Sequence, residues 1–483
     1  STILNLLKMK LFKQIGIFAI ISISFLSCSD DLSDLNTDPN SATSVDPSAL
    51  LSRAQYILYD RVHGRNLNLE WGMLMVQYWT QNEYTEESRY DVDENSFNSS
   101  WQSIYSEVLN ELKIAKELVS LESGSEAIIT NKLNVIDVMM VQAYMILTDG
   151  FGDIPYTQSF DPSITLPSYD SQESIYKDLL VRLKNAATTF DTTAGSFSSG
   201  DLIYGGDVTH WKKLTHSLML RAAMRVSDAD SELAKEYVIT AASDLISSNA
   251  QQALFVFDSA IERSNPMYRN VVEDSRDDFC VTEYLVTELN STGDPRLDMF
   301  ARVDDKVPTI IGMPYGLSDE AASNLKSTRS RPSDDVRSAT SPHVIISHAE
   351  VKFLLAEAYE RGYLAGDAEA AFNAGVNSSM EYWGVESSDA ATYLAANPYD
   401  SADWKSSIAW EKWVNFYTNG YEAWSEFRRL DSPSLVVPAL AEVPSVPTRL
   451  TYPQSEVSNN SAQLEKVTTT PGEITTKLWW DVN

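Results

Sequence analysis

The stretch from His343 to Leu430 constrains the fold more than any other part of the chain. Val351, Leu354, Leu355, Ala358, Tyr359 and Gly362 fall at i, i+3, i+4, i+7, i+8 and i+11, one face of an amphipathic helix. Gly362–Gly366 breaks the run. Asp367 is then placed to cap a second helix carrying Ala368, Ala371, Phe372 and Val376. A helix pair of this kind cannot bury its apolar faces alone, so one unit implies that others stack on it.

The register narrows the reading. Leu355-Ala356-x-x-Tyr359 followed by Ala368-x-x-x-Phe372 is the spacing of a tetratricopeptide helix pair, although Lys352 and Met380 stand where the consensus has Trp and Pro. Further stripes have the same period. They run through Trp101 to Val119, Leu133 to Leu147, Ile175 to Ala186, Trp211 to Arg225 and Ala234 to Ile246. The expected fold is mainly α, with about four tetratricopeptide-like pairs over 49–248 and 343–383. Residues 249–342 and 384–483 hold Asn265-Pro, Asp294-Pro, Gly312-Met-Pro-Tyr315-Gly and Arg331-Pro, punctuation that predicts an irregular, loop-rich second lobe.

Several motifs carry a family likeness. A Trp410-Glu-Lys-Trp413 helix precedes Gly420-Tyr-Glu-Ala-Trp-Ser-Glu-Phe-Arg-Arg429. Arg449-Leu-Thr-Tyr-Pro453 is followed by Glu456 and Asn459, and Gly152-Asp-Ile-Pro-Tyr156 and Asp294-Pro-Arg-Leu297 lie upstream. Together with the helix pair, these motifs resemble the SusD/RagB family of surface lipoproteins, which deliver nutrients to an outer-membrane transporter in Bacteroidetes. The resemblance implies a glycan or peptide ligand, a SusC-like TonB-dependent transporter as partner, and no enzymatic activity.

The N-terminus agrees with a lipoprotein. Lys8, Lys10 and Lys13 form a basic region, Ile15 to Phe25 an apolar core too short for a comfortable membrane span, and Leu26-Ser27-Cys28 a lipobox-like end. Residues 1–27 are therefore expected to be a signal peptide and Cys28 the lipidated residue, with Met9 a plausible start. Residues 28–48 form an acidic, polar tether, and 49–483 the folded domain. Ser29-Asp30-Asp31 resembles the family's surface-export signal, which implies an outer-membrane anchor facing outward. With Cys28 acylated, Cys280 has no disulfide partner. The formal charge of −31 argues against nucleic acid and anionic headgroups as partners.

Catalytic and metal patterns are sparse. The five histidines lack metal-ligand spacing, and no nucleophile elbow, P-loop or dinucleotide fingerprint occurs, so no cofactor is expected. Two carboxylates of a glycoside hydrolase would leave no local pattern, and a lipid-anchored interaction scaffold is the other alternative. The aromatic residues say more. Most fall on helix stripes and belong to the core, Trp410, Trp413 and Trp424 among them, and Arg428 and Arg429 are expected to pair with Glu422 or Glu426. One run departs from periodicity: Gln77-Tyr78-Trp79-Thr80-Gln81-Asn82-Glu83-Tyr84 through Arg89-Tyr90. Flat rings beside amides and charges suit sugars or peptides, so Trp79, Tyr84, Arg89 and Tyr90, with Tyr78 and Asn82, are the candidate ligand-binding residues. Tyr315, Tyr382, Trp383 and Trp404 are weaker candidates.

Overall fold

The computed structural model describes residues 45–483. The expected signal peptide, Cys28 and residues 29–44 of the tether lie outside the described residues. Pro47 opens the first helix, α1 (Pro47–Val62), so Pro47 and Ser48 belong to the fold. Proline suits a first turn because its φ is already helical and its missing N–H has no partner there. A second helix, α2, runs through 98–120 as Asn98–Ser103, a π-helical stretch Ile104–Leu109 and Asn110–Ser120. It is followed by α3 (Glu126–Phe151), α4 (Gln172–Thr189), α5 (Val208–Arg225) and α6 (Ser231–Ala241). Later come α7 (His348–Glu360), α8 (Ala368–Tyr382), α9 (Trp404–Asn415) and α10 (Gly420–Leu430).

Side-chain oxygens start most of these helices by accepting an otherwise unpaired N–H. Ser171 caps α4, Asp207 caps α5, Asp230 caps α6 and Ser347 caps α7. Asp367 caps α8 as its position predicts, accepting from the Ala370 N–H at 2.9 Å. Gly152, at φ 87°, stops α3, a conformation that side chains resist.

Among the described residues the helices form four pairs: α1 with α2, α3 with α4, α5 with α6, and α7 with α8. Contacts of α2 with α3, α4 with α5 and α5 with α7 join pair to pair. The fold is the expected one, mainly α with tetratricopeptide-like pairs. Between and after the pairs, among the described residues, lie short helices and three two-stranded antiparallel sheets. Strand β1 (Trp79–Gln81) pairs with β5 (Phe279–Val281), β2 (Ile154–Pro155) with β3 (Tyr169–Asp170), and β4 (Ala253–Phe255) with β6 (His343–Ile346). Among the described residues no helix is long and apolar enough to cross a membrane.

Where α10 begins, two backbones nearly touch. A Cβ on Gly420 would lie 2.2 Å from the Met73 nitrogen, and one on Gly72 would lie 2.3 Å from the Gly420 carbonyl carbon. Only glycine fits both sides of this crossing. The family-like motifs are structural here. Arg429 grips both oxygens of Glu357 at 2.7 Å and also Glu426, while Lys412 of the Trp410-Glu-Lys-Trp413 motif pairs with Glu426 from α9. Arg225 of α5 pairs with Glu422, and Arg221 holds Glu350 at 2.6 Å. Arg296 of the Asp294-Pro-Arg-Leu motif joins Asp294 at 2.6 Å to Glu411 at 2.9 Å. Arg428 differs from expectation. Rather than pairing with Glu422 or Glu426, it lies between the indoles of Trp424 and Trp480 and donates to the Asp149 carbonyl at 2.7 Å. Burial, with no carboxylate paired to it among the described residues, pulls its guanidinium down to about 10.

Candidate functional site

Residues 77–90 leave the helical part and enter β1, and the pairing of β1 with β5 decides where their side chains go. Trp79 is 1% exposed, packs on Phe279, and donates its Nε1–H to the Tyr417 hydroxyl at 2.8 Å. Tyr78 is fully buried and donates to the Trp413 carbonyl. Asn82 is buried, with its amide donating to the Asp277 carbonyl at 2.8 Å. Tyr90 is also buried, tilted against Tyr315, and burial pushes its hydroxyl up to about 12. These four residues form no shared platform open to solvent.

Tyr84 and Arg89 are placed otherwise. Tyr84 has left-handed backbone at φ 54° and is 61% exposed, with the Arg276 guanidinium 4.9 Å from its ring centroid. Arg89 is half-buried. Its Nε donates to Thr85 Oγ1 at 3.3 Å, and its carbonyl accepts from the Glu442 N–H at 2.9 Å. That last bond ties the run to segment 434–442, as does the Gln77 amide, which donates to the Val436 carbonyl at 2.7 Å.

Between these segments opens a cleft of about 300 Å³, lined by Gln77, Glu283, Tyr284, Thr287, Glu288, Pro314, Tyr315, Val436 and Pro438. Thr282 caps the helix Glu283–Thr292, which presents Glu283, Tyr284, Thr287 and Glu288 along one side. Gly312 lies so close to that helix start that a Cβ would meet the Glu283 Cα at 2.4 Å. Met313 exchanges backbone bonds with Val281 and Glu283, and this fixes the Pro314–Tyr315 turn against the helix. Tyr315 donates its hydroxyl to the Leu74 carbonyl at 2.8 Å, and Tyr284 meets Trp413 edge to face at 5.7 Å. Both phenols are pushed well up: Tyr284 by burial and then by Glu288, Tyr315 by burial and then by Tyr90. They therefore stay protonated at neutral pH.

Of the weaker candidates, Tyr315 lines this cleft. Trp383 instead packs on Phe300 and Tyr382, and Trp404 lies beneath Arg361. Tyr284, Glu283 and Glu288 carry no motif that marks them in the sequence. Tyr284 falls in the stretch 249–342, whose Pro and Gly punctuation reads as loop, so the helix Glu283–Thr292 and its open face were not legible. Among the described residues no group of three or more His, Cys, Asp or Glu side chains is placed to hold a metal ion. The Cys280 thiol is buried and pushed up by that burial.

A family model described as SusD-like, starch-binding associating with outer membrane, matches residues 39–453. The chain belongs to the SusD-like family. Its fold is similar to a chitin-binding protein at 26% identity and TM-score 0.80, covering 91% of this chain and 100% of that one. A SusD homolog from Parabacteroides distasonis matches at 22% identity and TM-score 0.80, covering 91% and 98%. A chitin-binding SusD homolog from Flavobacterium johnsoniae matches at 20% identity and TM-score 0.78, covering 90% and 99%. No match is found among curated protein sequences.

Proposed function

We propose that this SusD-like chain is a lipid-anchored outer-membrane protein that captures an extracellular glycan and passes it to a SusC-like TonB-dependent transporter. The observation that carries the ligand reading is the cleft beside Gln77. It sets two phenol faces, Tyr284 and Tyr315, beside two carboxylates, Glu283 and Glu288, and an amide. A sugar ring offers the matching chemistry. Its axial C–H face lies on an aromatic ring, and its hydroxyls donate to carboxylates and exchange bonds with amides. A glycan rather than a peptide is also favoured by the chitin-binding names of the structurally similar proteins. Tyr84, exposed and held by Arg276, extends the aromatic surface of the same lobe. Anchoring would proceed through Cys28, and the stacked helix pairs would offer the transporter an extended docking face.

Glu283 and Glu288 in one cleft also supply the paired acids that a glycoside hydrolase needs, so a second reading is hydrolysis of the bound glycan. Calorimetric titration with short chito-oligosaccharides, followed by chromatography of the recovered sugar, separates the two. Binding with intact sugar supports capture, and shortened sugar supports hydrolysis. Replacing Tyr284 with Ala should weaken binding about 2- to 10-fold, the worth of one aromatic contact. Unchanged affinity would place the ligand elsewhere.

A further inference from the structure

A second cleft, about 340 Å³, lies between α2, the segment 155–167 and Glu456, and shares no residue with the first. Trp101 and Tyr105 of α2 form one wall, their rings 5.0 Å apart, and Phe160, on the loop after β2, also lines it. Asn110 and Glu456 complete it with polar groups. The π-helical stretch of α2 assembles this wall. In α-helical geometry a five-residue step from Tyr105 to Asn110 turns about 140° off the starting face. Here the Asn110 N–H bonds the Tyr105 carbonyl, the i to i+5 spacing of a π turn, which returns Asn110 to the side of Tyr105.

The free polar groups distinguish this cleft from an apolar hollow. Tyr105 spends its hydroxyl on the Pro155 carbonyl at 2.6 Å. Glu456 accepts from Tyr169 at 2.6 Å and Asn460 at 3.1 Å, both through Oε2, and its Oε1 has no partner among the described residues. The Asn110 amide has no side-chain partner among the described residues. Trp101, 5% exposed, lines the cleft, and its Nε1–H has no acceptor among the described residues. An apolar occupant would leave this N–H and the carboxylate oxygen unpaired, at a cost that a hydroxylated ring avoids.

We infer that this cleft is a second saccharide site, taking one end of a short neutral oligosaccharide against Tyr105 and Phe160, with the edge of Trp101 at its floor. Trp101 Nε1 donates to a ring substituent, the Asn110 amide exchanges bonds with another, and Glu456 Oε1 accepts from a hydroxyl. The site is independent of the Tyr284 cleft, so the two stand or fall separately.

The test is calorimetric titration of the full chain with a panel of short chitin, cellulose, xylan, mannan and starch oligosaccharides. It uses the wild type, Tyr284→Ala, Asn110→Ala and Phe160→Ala, each checked for an unchanged melting temperature. Asn110→Ala removes no side-chain hydrogen bond among the described residues; Phe160→Ala trims a ring packed on the edge of the core, so Asn110→Ala alone decides the test if the Phe160 variant melts lower. With Tyr284→Ala present, the inference expects a residual binding event that either cleft substitution weakens about fivefold or more. No residual binding by any sugar of the panel, or residual binding indifferent to Asn110→Ala and Phe160→Ala, overturns it. Protection of Phe160 from solvent only when another protein co-purifies also overturns it and makes the cleft a protein contact.

Discussion

Trp79 and Tyr84 lie in one aromatic run and meet opposite fates. The run shows no period, so the sequence offers nothing to say which rings turn inward. That is decided by β1 pairing with a strand about two hundred residues away, a contact that no local pattern reveals. Replacing Trp79 with Ala should destabilise the fold by about 3–5 kcal/mol, the usual cost of deleting a buried aromatic, and lower the melting temperature accordingly. Replacing Tyr84 with Ala should stay within about 0.5 kcal/mol, as for an exposed side chain, while weakening glycan binding. Thermal melts of the two variants check this, and similar melting shifts would contradict the assignment. Arg428 and Arg429 teach the same lesson. Both read as ion-pair partners of nearby acids, but only Arg429 is one, because the Trp480 ring that occupies Arg428 comes from the far end of the chain.

At the scale of elements, helices were far more legible than sites. Each apolar stripe from Trp101 to Arg225 became a helix, because a period of 3.6 survives without knowledge of partners. Boundaries were less so: the stripe drawn to Ile246 ends its helix at Ala241, where the turn before β4 begins. The join between α1 and β6 makes a further prediction. His63 of the α1 end and His343 of β6 lie with Nδ1 atoms 3.2 Å apart, one donating and the other accepting. Burial pulls His63 down to about 3, and burial and then His63 hold His343 well below its usual value. Below pH 6.5 the unfolded chain therefore takes protons that the folded chain refuses, and stability falls as pH falls. Each histidine should cost about 2 kcal/mol between pH 6.5 and pH 5. Urea midpoints across pH 5–7.5 measure this slope; a flat profile would mean that the pair is not buried as described. Further acid adds the carboxylates. Burial alone would raise Glu357, but Arg429 and Arg361 outweigh it and hold it low, so its contribution is lost only as pH drops through that depressed value.

At the scale of the whole molecule, the helix pairs and the irregular lobe share one apolar core. Leu51, Val141, Trp211, Phe279, Trp424 and Trp480 belong to the same buried cluster, though they come from both parts of the chain. A smaller cluster around Phe353, Phe372 and Ile408 ties α7, α8 and α9 together. The two parts should therefore unfold together, with coincident midpoints by far-ultraviolet circular dichroism and tryptophan fluorescence. Separate transitions would show that the lobe is an independent unit. This long-range interleaving is why the irregular lobe was legible only as irregular. Its order comes from Arg296 reaching Glu411 and from Gly420 meeting Gly72, contacts made by residues far apart in sequence.

The central claim is capture of a glycan without turnover. Its most direct measurement is incubation of the purified full chain with a panel of neutral oligosaccharides, scoring both retention on the protein and the length of the sugar recovered. The account predicts that at least one sugar is retained, leaves at its original length, and is held less well by the Tyr284→Ala variant. Retention of none, or recovery of shortened sugar, would contradict it.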